Sequence, residues 1–240
     1  MGRRVKPADD SRICWSAWST AGRVVWLWKQ FNLGASRSKV VIQSTGNPAM
    51  AAPSSAYPLP TLALGHGPLE FEVFVEPTCP HSKRAFEKFR PLLAAIGEDR
   101  LTIKIRFVSQ PWHLFSGVVT RSILAASATA GGVPAAFRAM EGIYEHRENF
   151  EFEKHSSGPN MNRTPADIIR EVGQHAGIDV AQAFRLDSVD RAMRWHARYY
   201  RQNGVHSSPT FMVGGLVEPA MSSGQTIEEW TEFLRPHLGL

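Results

Sequence analysis

The stretch Leu69 to Ser82 constrains this chain more than any other, because an apolar strand runs directly into a helix that carries a cysteine at its first turn. Leu69, Phe71, Val73 and Val75 alternate with Glu70, Glu72, Phe74 and Glu76, which is the period of a strand with one apolar face. Pro77 ends the strand. Thr78 is a candidate cap for the following helix, and Pro80 suits its first turn, where a missing N–H costs nothing. Phe86, Phe89, Leu92, Leu93 and Ile96 then recur at helical spacing, and Gly97 closes the run. Cys79 therefore sits where the helix dipole and unpaired backbone N–H groups favour thiolate over thiol. His81, when protonated, adds to that effect, and Lys83 and Arg84 bring further positive charge. The segment predicts an acidic, nucleophilic cysteine.

The rest of the chain has to supply a fold around this unit. Leu101, Ile103, Ile105 and Phe107 alternate with polar residues in a second strand, so strand, helix and strand form a right-handed parallel crossover. Its loops hold no glycine-rich phosphate cradle, which removes the nucleotide reading. Thr61 to Leu64 predicts a short edge strand. Residues 114 to 204 read as helices: Val118 to Ala130, Val133 to Arg147, a start at Thr164-Pro165 with Asp167, and another opening at Asp187 and ending at Gly204. The sheet resumes at Ser208-Pro209-Thr210-Phe211-Met212-Val213, turns at Gly214-Gly215 and returns through Leu216-Val217. Thr226 to Glu229 is a capping box opening a final helix with Ile227, Trp230, Phe233 and Leu234 on one face.

Residues 1–60 differ in kind. They read as a poorly ordered leader and linker: a basic start, a crowd of tryptophans, an apolar run at Val24 to Trp28 too short to span a membrane, and an Ala/Pro/Ser-rich stretch. Either this is a targeting or membrane-surface segment, or it precedes a true start at Met50. A net charge of +5 without basic runs interleaved with aromatics gives no nucleic-acid surface. Two cysteines, Cys14 and Cys79, make no disulfide framework, and no Cys/His spacing fits a metal site. The expected compartment is the cytoplasm.

Cys-Pro-His-Ser at the first helix and Ser-Pro-Thr-Phe at the hairpin, in this order of elements, resemble a DsbA-like protein: an α/β thioredoxin-like fold with an inserted helical domain. The chain looks particularly like bacterial proteins labelled protein-disulfide isomerases of that class. The resemblance covers residues 68 to 238 and implies a thioredoxin-like domain from 61–113 and 205–240 around an insert at 114–204. It implies that the Ser208–Pro209 bond is cis, that Pro209 faces Cys79, and that the Ser208 backbone is offered to an extended substrate. Family oxidases carry a second cysteine where this chain has Ser82, and a hydroxyl cannot resolve a mixed disulfide. The resemblance thus implies a monothiol oxidoreductase or isomerase with Cys79 as nucleophile and His81 and Ser82 as thiolate stabilisers. Ser82 would act by a hydrogen bond from its hydroxyl.

Pro80, Ser208, Pro209, His206 and Trp112 are the candidate substrate-binding residues, His206 as a second tuning group and Trp112 as a groove wall. His113, His146, His155 and His196 read as ordinary surface or core histidines, and Glu151 and Glu153 as carboxylates without a partner. No bound cofactor is expected; the partners are protein or peptide thiols and disulfides, or glutathione as cosubstrate. The rival readings are a glutathione-dependent kappa-type transferase or isomerase, which generally has serine at the Cys79 position, and a non-catalytic peptide-binding module.

Overall fold

The computed structural model describes residues 57–154 and 157–239, together with the backbone of residues 16–20 and 23–27. The latter form a separate antiparallel ribbon of β1 (Ser16–Thr20) and β2 (Arg23–Leu27), with Ser16 opposite Leu27 and Thr20 opposite Arg23. The rest of the expected leader, and Cys14 with it, lies outside the described residues.

In the main unit a five-stranded sheet has the order β3-β5-β4-β6-β7. Its strands are β3 (Ala63–Leu64), β4 (Leu69–Val75), β5 (Leu101–Phe107), β6 (Thr210–Val213) and β7 (Leu216–Val217). β4 and β5 are parallel, with Leu69 opposite Leu101 and Val75 opposite Phe107; the other pairings are antiparallel. Gly214 and Gly215, at φ +55 and +87, make the two-residue turn of the β6–β7 hairpin, a conformation that side chains with a Cβ resist.

The single helix expected after Cys79 is two helices, α1 (Pro80–Phe86) and α2 (Phe89–Ile96). Pro91 accounts for the break. Its ring would collide with the carbonyl of Glu87 four residues back in a continuous helix, so the chain turns at Glu87 and Lys88 and restarts with Pro91 in the first turn of α2. Lys88 secures the corner by donating to the carbonyls of Ser223 and Gln225, 2.5 Å each.

Between β5 and β6 lie α3 (Ser116–Ser127), α4 (Gly132–Glu145), α5 (Pro165–Ala176) and α6 (Asp187–Gln202), with 3-10 turns between α4 and α5 and between α5 and α6. Thr164 and Asp167 form a reciprocal capping box on α5, as Thr226 and Glu229 do on α7 (Ile227–Leu234). Ile123, Met140, Ile168 and Val172 are fully buried in one contiguous apolar cluster with Phe71, Val73 and Ile105, so the core passes from sheet to helices without interruption. No helix among the described residues is long and apolar enough to cross a membrane.

Both faces of β4 are covered. Phe74, on the face opposite Phe71 and Val73, stacks on Tyr199 of α6 at 5.7 Å. Glu72 on that same face is buried and ion-paired to Arg106, and it accepts a hydrogen bond from the Tyr199 hydroxyl at 2.8 Å. A buried carboxylate is tolerated here because both its charge and its lone pairs are met.

Residues 57–60, inside the stretch expected as leader and linker, are described as part of the main unit. Tyr57 packs edge-on against Trp195 at 4.9 Å, and its hydroxyl meets His196 Nε2 at 3.1 Å. His196 Nδ1 accepts the Phe107 N–H at 3.3 Å, so Nε2 carries the proton and donates to Tyr57. Burial, with Arg106 nearby, drives the His196 pKa down from 6.5 to about 3. The folded chain therefore holds this imidazole neutral, while the unfolded chain protonates it below about 6.5. The contribution of His196 to stability should be level above that pH and fall by up to about 1.4 kcal/mol per unit below it. Urea unfolding at pH 7.5 and pH 5 tests this: His196→Asn, which keeps an acceptor for Phe107, should be weaker at pH 7.5 and lose less on acidification than the wild type.

Candidate active site

β4 delivers the chain into Glu76-Pro77-Thr78-Cys79, and the turn is locked by its own polar groups. The Glu76 N–H donates to Ser82 Oγ at 3.1 Å, and the Cys79 N–H donates to the Glu76 carbonyl at 3.1 Å. Cys79 itself is the N-cap residue of α1, with extended backbone (φ −77, ψ 129), and Pro80 occupies the first helical position. Thr78 does not cap the helix, contrary to expectation. Its N–H and hydroxyl both donate to Glu76 Oε2, at 2.9 and 2.8 Å, which binds the threonine back to the strand end. α1 thus begins without a side-chain cap, and its first N–H groups remain available to the cysteine.

The Ser208–Pro209 peptide bond is cis and lies against this helix start. The Cys79 sulfur is 3.6 Å from the Ser208 carbonyl oxygen, to which the thiol form donates. The loop carrying Ser208 is held by Gln110, whose side-chain amide donates to the His206 carbonyl at 3.2 Å. Two segments 129 residues apart are in this way brought onto one sulfur.

Burial alone would push the Cys79 thiol up. Four groups outweigh it and favour thiolate: the His113 side chain, the backbone N–H groups of Ser82 and His81, and the Ser208 side chain. Together they bring its pKa from the ordinary 9.0 down to about 7. Cys79 is only 5% exposed, so these contacts act with little competition from water.

Three expectations about the tuning groups are corrected by this geometry. His81 contributes through its backbone N–H, whereas its imidazole is exposed and faces the Arg84 guanidinium. Ser82 likewise contributes through its backbone; its hydroxyl oxygen is wholly buried and accepts the Glu76 N–H. His206 is exposed, and the contact it makes is through its carbonyl to Gln110. Trp112 stands 69% exposed beside His113, with Leu114 at 64% on its other side, so the two present an apolar surface next to the site.

The group that sequence reading missed is His113. It lies on the loop after β5, in a turn closed by its N–H to the Gln110 carbonyl and by the Ser116 N–H to its own carbonyl. A signal existed: β4 and β5 are parallel neighbours, and loops leaving the carboxyl ends of adjacent parallel strands share one edge of the sheet. The hydrogen bond to Cys79 raises the His113 pKa above 6.5; burial opposes this, and the Glu76, Cys79 and Glu151 charges add to it. Nε2 is 3.8 Å from Glu76 Oε2, and Nδ1 is 3.7 Å from Glu151 Oε1. Glu151 also pairs with Arg147, and Arg147 donates to the Thr78 carbonyl at 3.4 Å. The helical insert therefore contributes an ion pair to the site. Glu76 is fully buried, and burial raises its pKa against the opposing effects of His113, Ser116 and Thr78. Among the described residues, no group of three or more His, Cys, Asp or Glu side chains is placed to hold a metal.

The arrangement is a stabilised thiolate faced by a cis-proline loop, with no second thiol beside it among the described residues. No family model matches the chain, and no curated protein does. Solved structures do. A "putative protein-disulfide isomerase" from Pseudomonas syringae is 51% identical, over 72% of this chain and 97% of that one, with a TM-score of 0.70. The catalytic domain of ScsC from Proteus mirabilis (14% identity, 79% and 94% covered) and oxidised BdbD from Bacillus subtilis (12%, 75% and 94%) share the fold, each at a TM-score of 0.53. The chain has the thioredoxin-like fold of the DsbA type and belongs to the family of the Pseudomonas protein.

Proposed function

We propose that this thiol–disulfide oxidoreductase of the DsbA-like class works through one thiol. Cys79 thiolate attacks a disulfide of a protein or peptide, a mixed disulfide forms at Cys79, and an outside thiol, glutathione or a client cysteine, attacks that bond and frees the enzyme. The observation that carries this reading is the state of position 82. The residue that would be the second motif cysteine is a serine whose hydroxyl is buried and accepts a backbone N–H, while the backbone of the same residue supports the Cys79 thiolate. Nothing at that position can resolve a mixed disulfide from within. The apolar side chains of Trp112 and Leu114 beside the site favour a polypeptide client over a small polar one.

Alkylation of the full-length chain with Cys14→Ser, followed against pH, tests the reading together with intact mass after oxidised glutathione. The rate should rise about tenfold per unit at low pH and level off above about 7, whereas a free cysteine levels off near 8.5. A single glutathione adduct should form and be removed by added thiol. An ordinary titration and no adduct would sink the exchange reading and leave a peptide-binding module.

A further inference from the structure

A single-thiol enzyme faces its difficulty in the second half of the cycle. The outside thiol that must attack the mixed disulfide is only a few per cent thiolate at neutral pH, and the thiol form is a poor nucleophile. A two-cysteine enzyme supplies its own neighbouring thiolate; this chain has the buried Ser82 hydroxyl instead. A base close to Cys79 would remove the difficulty, and one is present.

We propose that His113, seated between Glu76 and Glu151, is the general base of the release step, taking the proton of the outside thiol as that thiol attacks the mixed disulfide at Cys79. The proposal rests on the single-thiol reading above. The balance is simple. The outside R–SH gives its proton to the neutral imidazole and its electron pair to the client's sulfur. The bond between that sulfur and Cys79 breaks, and Cys79 leaves as thiolate. The products are a new disulfide between the outside thiol and the client, a Cys79 thiolate and a His113 imidazolium. The proton transfer thus creates a cation beside the atom on which the anion appears.

Three groups face the imidazole, one from each element packed around it. Cys79 comes from the start of α1, Glu76 from the end of β4, and Glu151 from the segment after α4, the last tied in turn to Arg147. In the mixed disulfide Cys79 is uncharged, so the partner that most strongly holds a proton on His113 in the resting enzyme is gone, and the ring is free to accept one. The two carboxylates, 3.8 and 3.7 Å from its nitrogens, then favour the imidazolium as it forms. Glu76 is suited to that purpose: it is wholly buried, Thr78 fixes Oε2, the oxygen 3.8 Å from Nε2, and Oε1 has no hydrogen-bond partner among the described residues. His113 is the catalytic residue in this step and Glu76 a positioning residue.

The test uses the full chain with Cys14→Ser, loaded with glutathione at Cys79, and follows release by reduced glutathione from pH 6 to 9. The wild-type rate should change little above pH 7. His113→Ala should be slower by about ten- to a hundredfold near pH 7, at the low end of general-base effects because a thiol is already partly ionised. That gap should close towards pH 9, where the outside thiol ionises unaided, and added imidazole should restore the rate at pH 7. Glu76→Gln, which keeps shape and size, should show a smaller gap with the same pH dependence, and it keeps the proposal testable where His113→Ala folds poorly. Wild-type protein that takes no glutathione would overturn the single-thiol reading and this proposal with it. Normal loading, with release from both variants at the wild-type rate across the pH range, would overturn the role of His113 alone.

Discussion

In the Cys14→Ser background, Cys79→Ser should abolish mixed-disulfide formation outright and reduce exchange between oxidised glutathione and a peptide thiol to the uncatalysed rate. A hydroxyl cannot form a disulfide and is not ionised at any working pH, so no residual route through position 79 exists. The substitution should leave the fold in place. Serine is close to cysteine in volume, and the N–H groups of His81 and Ser82 and the His113 ring can all meet its oxygen. The stability of the variant carries a further signature. Folding holds the Cys79 thiol at about 7, below its ordinary value, so ionisation of this group favours the folded state. That contribution is full above the unfolded thiol's range and is lost as pH falls through about 7. The stability deficit of Cys79→Ser should accordingly widen between pH 6 and pH 9. Intact mass after oxidised glutathione and urea unfolding at the two pH values measure both effects; retention of exchange by the variant would remove Cys79 from the mechanism.

The largest effect on stability should come from Trp230→Ala. Trp230 on α7 is completely buried and packs edge-on against Phe211 at 5.0 Å and Phe71 at 6.0 Å. Its indole N–H donates to the Ser222 carbonyl at 2.9 Å, and the Lys88 ammonium lies 5.1 Å from its ring centre. Truncation removes the transfer free energy of the indole and leaves a cavity that Phe71 and Phe211, held in β4 and β6, cannot close. A loss of about 3–5 kcal/mol is expected, a large part of the roughly 5–15 kcal/mol by which domains are stable. Trp230→Phe should retain most of the packing and lose about 1 kcal/mol with the hydrogen bond. Because β4 leads into Cys79 and β6 follows Ser208, the alanine variant should also loosen the contact between the two residues. Its alkylation curve should shift towards the free-cysteine range. Equal urea midpoints for Trp230→Ala and wild type would contradict this account of the core.

The parts of the fold that local chemistry specifies were readable from the sequence. The alternation in Leu69 to Val75 and Leu101 to Phe107, the reciprocal caps at Thr164 and Thr226, and the paired glycines at 214 and 215 each act within a few residues, and each element stands where those signals put it. Pro91 was an equally local signal for the break between α1 and α2, but the unbroken apolar spacing from Phe86 to Ile96 concealed it. Thr78 does not cap α1 because its N–H and hydroxyl donate to Glu76 Oε2 and hold it at the strand end, whereas a cap would accept a helix N–H through its oxygen. The buried Glu76 carboxylate competes with the helix start and wins.

The sequence by itself determined where the helix start and its thiol meet. A cysteine between a strand end and Pro80 must meet unpaired helix N–H groups, and the serine at position 82 follows from the chain alone. The identity of the groups that finish the site was decided only by tertiary structure. His113, Glu151 and Ser208 lie far from Cys79 along the chain and carry no periodic or motif signature. They meet the sulfur or its partner because β4 and β5 run parallel, because the insert folds back from α4, and because β6 returns beside β4. Hydrogen bonds and charge act over a few ångströms of space whatever the separation in sequence, so the residues that set the acidity of Cys79 become visible once the strands are paired.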